Sequence, residues 1–327
     1  MEEAIKIVGH LRQRQRLEKL WRLDKLPSAL MFTGANGIGK SLVAKELFQS
    51  LFCEKGDVYG GCHACRACHL FEAGNHPDFH EKDFINKEDT NVDGLRDLLY
   101  SLHLGAFNGG SRVILFHNIE LISVQGANLL LKILEEPRPN TYFCLLSSNP
   151  TRLPATIMSR CHNWFFDKLS SKEIQTILEN NHKDSSLSHN ADLLLLADGT
   201  LEHIDTIENN MDLWKDICHA LEKISKGDIA FLSSFVSELT SAKDELREKL
   251  KMISLYARSK LLNSSSSRER YTWSIFLTNI LEAEPYIFER NLSANYLLSL
   301  VFQDLASQNA TNQPQETRGR LLHEIVI

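Results

Sequence analysis

The sequence predicts a parallel α/β layer followed by an all-helical region. Three observations carry this. Short apolar runs with strand character alternate with amphipathic segments up to about residue 169. A glycine-rich turn sits directly between the first such run and a helix. After about Ser170 the strand signals stop and helical periodicity continues to the end. Strands alternating with helices specify a parallel sheet covered by helices on its faces.

Taken in order, residues 11–25 place Leu11, Leu17, Leu20, Trp21 and Leu23 among charges, the pattern of an amphipathic helix. "SALMFTG" (28–34) reads as a buried strand, and "SLVAKELFQSLF" (41–52) as the helix after it. A cysteine-rich insert follows. Residues 90–104 read as a helix with Leu95, Leu98, Leu99 and Leu102 on one face. A second strand is expected over 112–116, and a helix over 123–137 with Ser123 as its cap and Pro137 at its end. Strands are expected at 141–148 and 163–169. Three short helices over 170–181, 190–199 and 200–210 come next, then helix throughout from Met211, interrupted by a serine loop at 264–267. Residues 307–317 are polar and poor in core formers, which predicts a loose connection or tail.

The 36 Lys and Arg against 42 Asp and Glu give a net charge of −6, which argues against a protein that coats nucleic acid by bulk attraction. No run of 18 apolar residues predicts a membrane span. "MEEAIKIVGHLRQRQRLEKL" lacks a signal-peptide core, so a cytoplasmic protein is expected.

"GANGIGKS" is a complete phosphate-binding loop, Gly34-x4-Gly39-Lys40-Ser41, with a third glycine at Gly37. The glycines let backbone N–H groups turn inward around phosphates. Lys40 is placed to reach the β and γ phosphates, and the Ser41 hydroxyl to bind Mg²⁺. The helix that follows presents its positive end to the anion. The expected cofactor is therefore ATP or ADP with Mg²⁺.

The strand at 112–116 raises a difficulty. In a P-loop ATPase this strand ends in a pair of carboxylates, one for the metal and one for the attacking water. Here it ends in His117-Asn118. Neither ligates Mg²⁺ as a carboxylate does, and Asn118 is no base.

Cys53-x8-Cys62-x2-Cys65-x2-Cys68 offers four thiolates at metal-ligand spacing. Four sulfurs with no open position suit structural Zn²⁺, an iron–sulfur cluster being the alternative. His63, His69 and His76 lie near enough to compete. The insert has too few apolar residues for a core, so a metal would have to hold it. Arg160, just before the last strand, is open to two readings: a surface ion-pair partner, or a guanidinium projected at a neighbouring subunit's nucleotide. Ser147, Ser148 and Asn149 end a strand beside the loop, where one could sense a γ-phosphate or merely cap the strand. Glu135 and Glu136 are expected to be solvated.

The order "IVGH" (7–10), "GANGIGKS" (34–41), four cysteines (53–68), "NLLLKILEEP" (128–137) and "SSNPTRLPATIMSRC" (147–161) resembles the bacterial AAA+ clamp-loader subunits of DNA polymerase III. The resemblance covers about the first 170 residues strongly and the rest by layout. It implies an AAA+ P-loop domain over 1–169 with a zinc-module insert (53–68), a three-helix lid over 170–210 and a helical collar for oligomerisation over 211–327. It implies that Val8, Gly9 and His10 border the adenine. Gly34, Gly37, Gly39, Lys40 and Ser41 would hold the phosphates, and Ser147 or Ser148, with Ser148 preferred, would act as sensor. Cys53, Cys62, Cys65 and Cys68 would bind zinc, and Arg160 would be a trans-acting arginine finger. The implied partners are the gamma/tau and delta subunits, the sliding clamp and, through the assembled complex, primed DNA. The lid's arginine sensor aligns with Glu202. Together with His117-Asn118, this favours a non-hydrolysing, delta-prime-like member over an active gamma/tau-type ATPase, the alternative. A zinc-dependent DNA-binding adaptor with a vestigial P-loop is a third option.

Overall fold

A computed structural model of the chain describes residues 7–85, 92–101, 106, 110–181, 197 and 199–310. The chain forms two compact units, Met1–Asn181 with Gly199–Leu201, and His182–Asp198 with Glu202–Ile327. Among the described residues no helix is long and apolar enough to cross a membrane.

The first unit is the expected α/β layer, a parallel sheet with helices on both faces. Its five strands are β1 (Ala29–Thr33), β2 (Phe79–Asp83), β3 (Arg112–His117), β4 (Thr141–Ser147) and β5 (His162–Phe165). They form one sheet in the order β2-β3-β4-β1-β5, with every pairing parallel. Parallel strands are buried on both faces, and β1 and all of β3 but its last residue are buried accordingly. One face carries α1 (Leu11–Arg22) and α2 (Lys40–Phe52) over Leu30, Phe32, Val113, Leu115, Cys144 and Leu146. The other carries α4 (Val92–Ser101) and α5 (Val124–Glu135) over Met31, Ile114, Phe116, Phe143 and Leu145. The short α3 (Arg66–Glu72) lies within the cysteine insert, and α6 (Ala155–Met158) and α7 (Ser171–Asn181) flank β5. As anticipated, the Ser123 hydroxyl caps α5, accepting the Gly126 N–H at 3.1 Å.

Two elements differ from the sequence reading. β2, "FHEKD", has no apolar alternation because it is an edge strand paired only to β3, and edge strands carry charge. The strand expected over 163–169 ends its ladder at Phe165; beyond the bond from Phe166 N–H to Thr33 O the chain leaves the sheet.

The second unit is helical: α8 (Glu202–Asn209), α9 (Met211–Ser225), α10 (Ile229–Leu239), α11 (Lys243–Asn263), α12 (Ser267–Phe288) and α13 (Ala294–Ala310). Its core gathers Tyr256, Trp273, Phe276, Ile280 and Phe302, with Trp273 and Phe276 edge-to-face at 5.7 Å. α13 continues through Ala310, into the segment expected to be loose. The helix expected over 190–199 lies outside the described residues, save Ala197 and Gly199.

Candidate functional site

The glycine loop leaves the carboxyl end of β1, where the Gly34 N–H donates to Ser147 O at 3.2 Å. Gly34 has φ 151°, and a Cβ there would lie 2.4 Å from the Phe166 carbonyl oxygen, so no side chain fits. Gly37 (φ 69°) and Gly39 (φ 97°) are left-handed, and Gly39 caps α2. α2 thus points its N-terminal amides at the loop, the arrangement that attracts phosphate. Lys40 is buried, and its ammonium donates to Gly34 O at 2.7 Å and Ala35 O at 2.6 Å. It spans the loop it would serve. Ser41, half-buried, follows on the first turn of α2. Leu201 N–H donates to Gly37 O at 3.0 Å. His10 Nε2 lies 2.7 Å from Ile38 O and donates to it, with its ring edge-on to Phe166 at 5.0 Å. The 8–10 segment, in which Val8 is half-buried, therefore flanks the loop.

At the carboxyl end of β3 the geometry is different. His117 Nε2 lies 2.7 Å from Glu81 Oε1, and Lys45 reaches the same oxygen at 2.9 Å. The His117 hydrogen bond, then Lys45, pulls the Glu81 carboxyl down to about 2 against the cost of its burial. Asn118 Nδ2 donates to Asp83 Oδ1 at 2.8 Å. His117 and Asn118 are thus both tied to acids of β2.

Sequence reasoning missed Glu120. It sits on a one-turn 3-10 helix, Ile119–Leu121, just past β3. Its Oε1 accepts the Ser148 hydroxyl at 2.6 Å, the Ser148 N–H at 3.0 Å and the Asn149 N–H at 3.3 Å. Burial alone would raise its pKa; these bonds outweigh that and hold it low. The one signal for it was an acid three residues beyond the strand end, in "FHNIE". Ser148, the expected sensor, therefore donates its hydroxyl to Glu120.

Arg160 is exposed, just beyond α6. Its Nη1 donates to Thr156 O at 3.0 Å, and its Nη2 pairs closely with Glu135 Oε1 at the end of α5. Glu135 is exposed, as the sequence suggested, and is also ion-paired.

The four cysteines converge. The Sγ atoms of Cys53, Cys62, Cys65 and Cys68 all lie within 4.8 Å of one another, close to the roughly 3.8 Å that tetrahedral Zn–S bonds of about 2.3 Å require. A backbone N–H from Ala64 pulls the Cys62 thiol down to about 6, burial pushes Cys68 up to about 12, and Cys68 N–H donates to Cys65 Sγ at 3.4 Å. Gly61 packs so tightly that a Cβ would meet Cys68 Sγ at 3.0 Å and Gln49 Cγ at 2.6 Å. The histidines are turned elsewhere. His63 Nδ1 is 2.5 Å from Glu72, His69 is exposed, and His76 lies 3.9 Å from the Phe52 ring. A set of four soft sulfurs with no open position fits a structural zinc, held by cysteines alone.

Residues 9–170 match the family described as DNA polymerase III, delta subunit. A DNA polymerase III subunit delta' from Haemophilus influenzae is 36% identical over 184 residues, 53% of this chain and 55% of that protein. Over residues 9–170 the chain is similar to that family. A delta' subunit from Pseudomonas aeruginosa is 40% identical over 134 residues, 41% of each protein. The tau subunit of Salmonella typhimurium is 33% identical over 183 residues, 55% of this chain and 28% of tau. The chain thus spans about half the length, or less, of these relatives.

Proposed function

We propose that this chain is a delta-prime-like subunit of a DNA polymerase III clamp loader, one that holds nucleotide without hydrolysing it and lends Arg160 to a neighbouring ATPase subunit. The observation that carries this is the carboxyl end of β3, where His117 and Asn118 replace a carboxylate pair and are tied to Glu81 and Asp83. Loss of a metal ligand and of a general base each removes about 10²–10⁴ in rate. The loop opposite them keeps its glycines and Lys40 in a phosphate-binding arrangement.

In this reading Gly34, Gly37, Gly39 and Lys40 hold the phosphates, Ser41 takes the Mg²⁺, and Val8 and His10 border the base. Arg160, exposed and held only by Glu135 and its own turn, exchanges Glu135 for the γ-phosphate of the adjacent subunit. The cysteines bind a structural zinc that holds the insert. Residues 1–169 form the AAA+ domain, 170–210 the lid and 211–327 a collar that packs with gamma/tau and delta subunits. The assembled ring opens and loads the sliding clamp onto primed DNA in the cytoplasm. A gamma/tau-type ATPase would need a free carboxylate past β3. Glu120 is the one that stands there, and its Oε1 is committed to Ser148 and Asn149.

The isolated chain is expected to show negligible ATPase; brisk turnover would overturn the reading. In the assembled loader, Arg160→Ala is expected to leave assembly intact by gel filtration. It should slow turnover at the completed site by about 10³-fold, with clamp loading reduced. Unaltered DNA-dependent ATPase in an intact complex would remove the finger from Arg160.

A further inference from the structure

We propose that Glu120 makes this loop select a nucleoside diphosphate over a triphosphate. The inference rests on the reading that the loop holds nucleotide at all, and goes beyond it to which nucleotide is kept and why.

The placement comes from strand register. β3 and β4 pair Phe116 with Leu145, and β4 and β1 pair Ser147 with Thr33. The Ser147 carbonyl then accepts the N–H of Gly34, the first residue of the loop. Glu120 lies past the end of β3 and bonds Ser148, the residue directly after β4. Its carboxylate therefore stands beyond the carboxyl ends of β3 and β4, beside the strand from which the loop springs. Ligands of open parallel sheets sit in this crevice. The α and β phosphates are taken by the loop amides and Lys40 reaches the β and γ phosphates; the third phosphate's far oxygens face the ends of β3 and β4.

What a third phosphate meets there is unfavourable on three counts. Three donors past the strand end are committed, since the Ser148 hydroxyl, the Ser148 N–H and the Asn149 N–H all point at Glu120 Oε1, while the unpartnered Ser147 hydroxyl is buried within β4. Glu120 Oε2 is buried and has no hydrogen-bond partner, so the site already holds a carboxylate whose donors all meet its other oxygen. The end of β3 supplies no carboxylate to anchor a Mg²⁺ that would neutralise further charge, because His117 and Asn118 stand in its place. A diphosphate stops short of all three. A rival account makes Glu120 only a tie between two strand ends, and that account predicts no difference between nucleotides.

Titration calorimetry of the full-length chain with ADP and with ATP, each with and without Mg²⁺, separates these accounts. ADP is expected to bind about tenfold or more tighter than ATP. Glu120→Gln, which keeps an acceptor oxygen and removes the charge, is expected to bring ATP to within about threefold of ADP. Glu120→Ala should move it the same way, with thermal melts confirming that both variants fold. The unmodified chain's own ADP-to-ATP ratio needs no variant. Equal affinities there, or a preference that survives Glu120→Gln in folded protein, overturn the proposal and leave the loop's nucleotide binding standing. Weaker Mg²⁺·ATP binding by Glu120→Gln also overturns it, since Glu120 would then be a metal ligand. If neither nucleotide binds, both the proposal and the reading beneath it fall.

Discussion

The carboxyl ends of β1 and β3 lie two places apart in one sheet and are organised by different means. The end of β1 is a matter of backbone. Gly34 exists because the Phe166 carbonyl oxygen passes 2.4 Å from where a Cβ would be, and Gly39 because α2 begins from a left-handed residue. The end of β3 is a matter of side chains, His117 on Glu81 and Asn118 on Asp83, which leave the ladder untouched. The difference teaches that the loop is fixed by backbone packing and the end of β3 by exchangeable side chains. Altering the loop disturbs the packing of β1, β4 and the chain after β5. Exchanging two side chains at the end of β3 disturbs only their partners on an edge strand.

The contrast can be broken first at the loop. Gly34→Ala is expected to cost about 2–4 kcal/mol in urea denaturation, because strain and a backbone clash act together. A loss below about 0.5 kcal/mol, the range of a neutral surface change, would mean that close approach does not hold this end. Next in size, the pair His117→Asp with Asn118→Glu installs carboxylates against Glu81 and Asp83. Two hydrogen bonds are lost and like charges face each other, so about 1–3 kcal/mol of stability should go, partly restored below pH 4. If the pair instead left stability intact and switched on ATP hydrolysis, the end of β3 would be a site awaiting its carboxylates, and the contrast would fail.

The smallest effect sharpens the contrast through pH. Glu81 titrates near 2 in the folded chain, below the roughly 4.3 of an unfolded glutamate. Its folded pKa is depressed, so its contribution is complete above about pH 4–5 and is lost as pH falls toward 2. Glu81 is 37% exposed, so solvent screening limits the contribution to below about 1 kcal/mol. Glu81→Gln should flatten the acid limb of stability against pH over that window. An unchanged limb would detach His117 from this carboxylate.

How legible all this was in the sequence follows the same division. Local spacing carried the loop, because Gly34, Gly37, Gly39 and Lys40 lie within seven residues, and it carried the cysteines, whose intervals already match a metal's reach. It carried the buried strands β1, β3 and β4, whose apolar runs are continuous. It did not carry β2, whose polar residues face solvent on an edge, or α3, which takes its place among the cysteines rather than from an apolar stripe. Nor could it show Glu120 on Ser148 or Arg160 on Glu135. Those pairs join residues 28 and 25 positions apart, and only the folded sheet brings them together.

One further consequence lies in α2. The helix is 13 residues long, about 20 Å from end to end; Lys40 is its first residue, and Cys53 follows its last. Gln49 near its far end donates to Glu72 of α3 at 2.6 Å, and the Ser50 hydroxyl accepts the Gly60 N–H at 2.7 Å. The lysine and the thiol cluster are therefore opposite tips of a single rod. A loss of helix at the sulfur tip would therefore be felt along the same element that carries the ammonium.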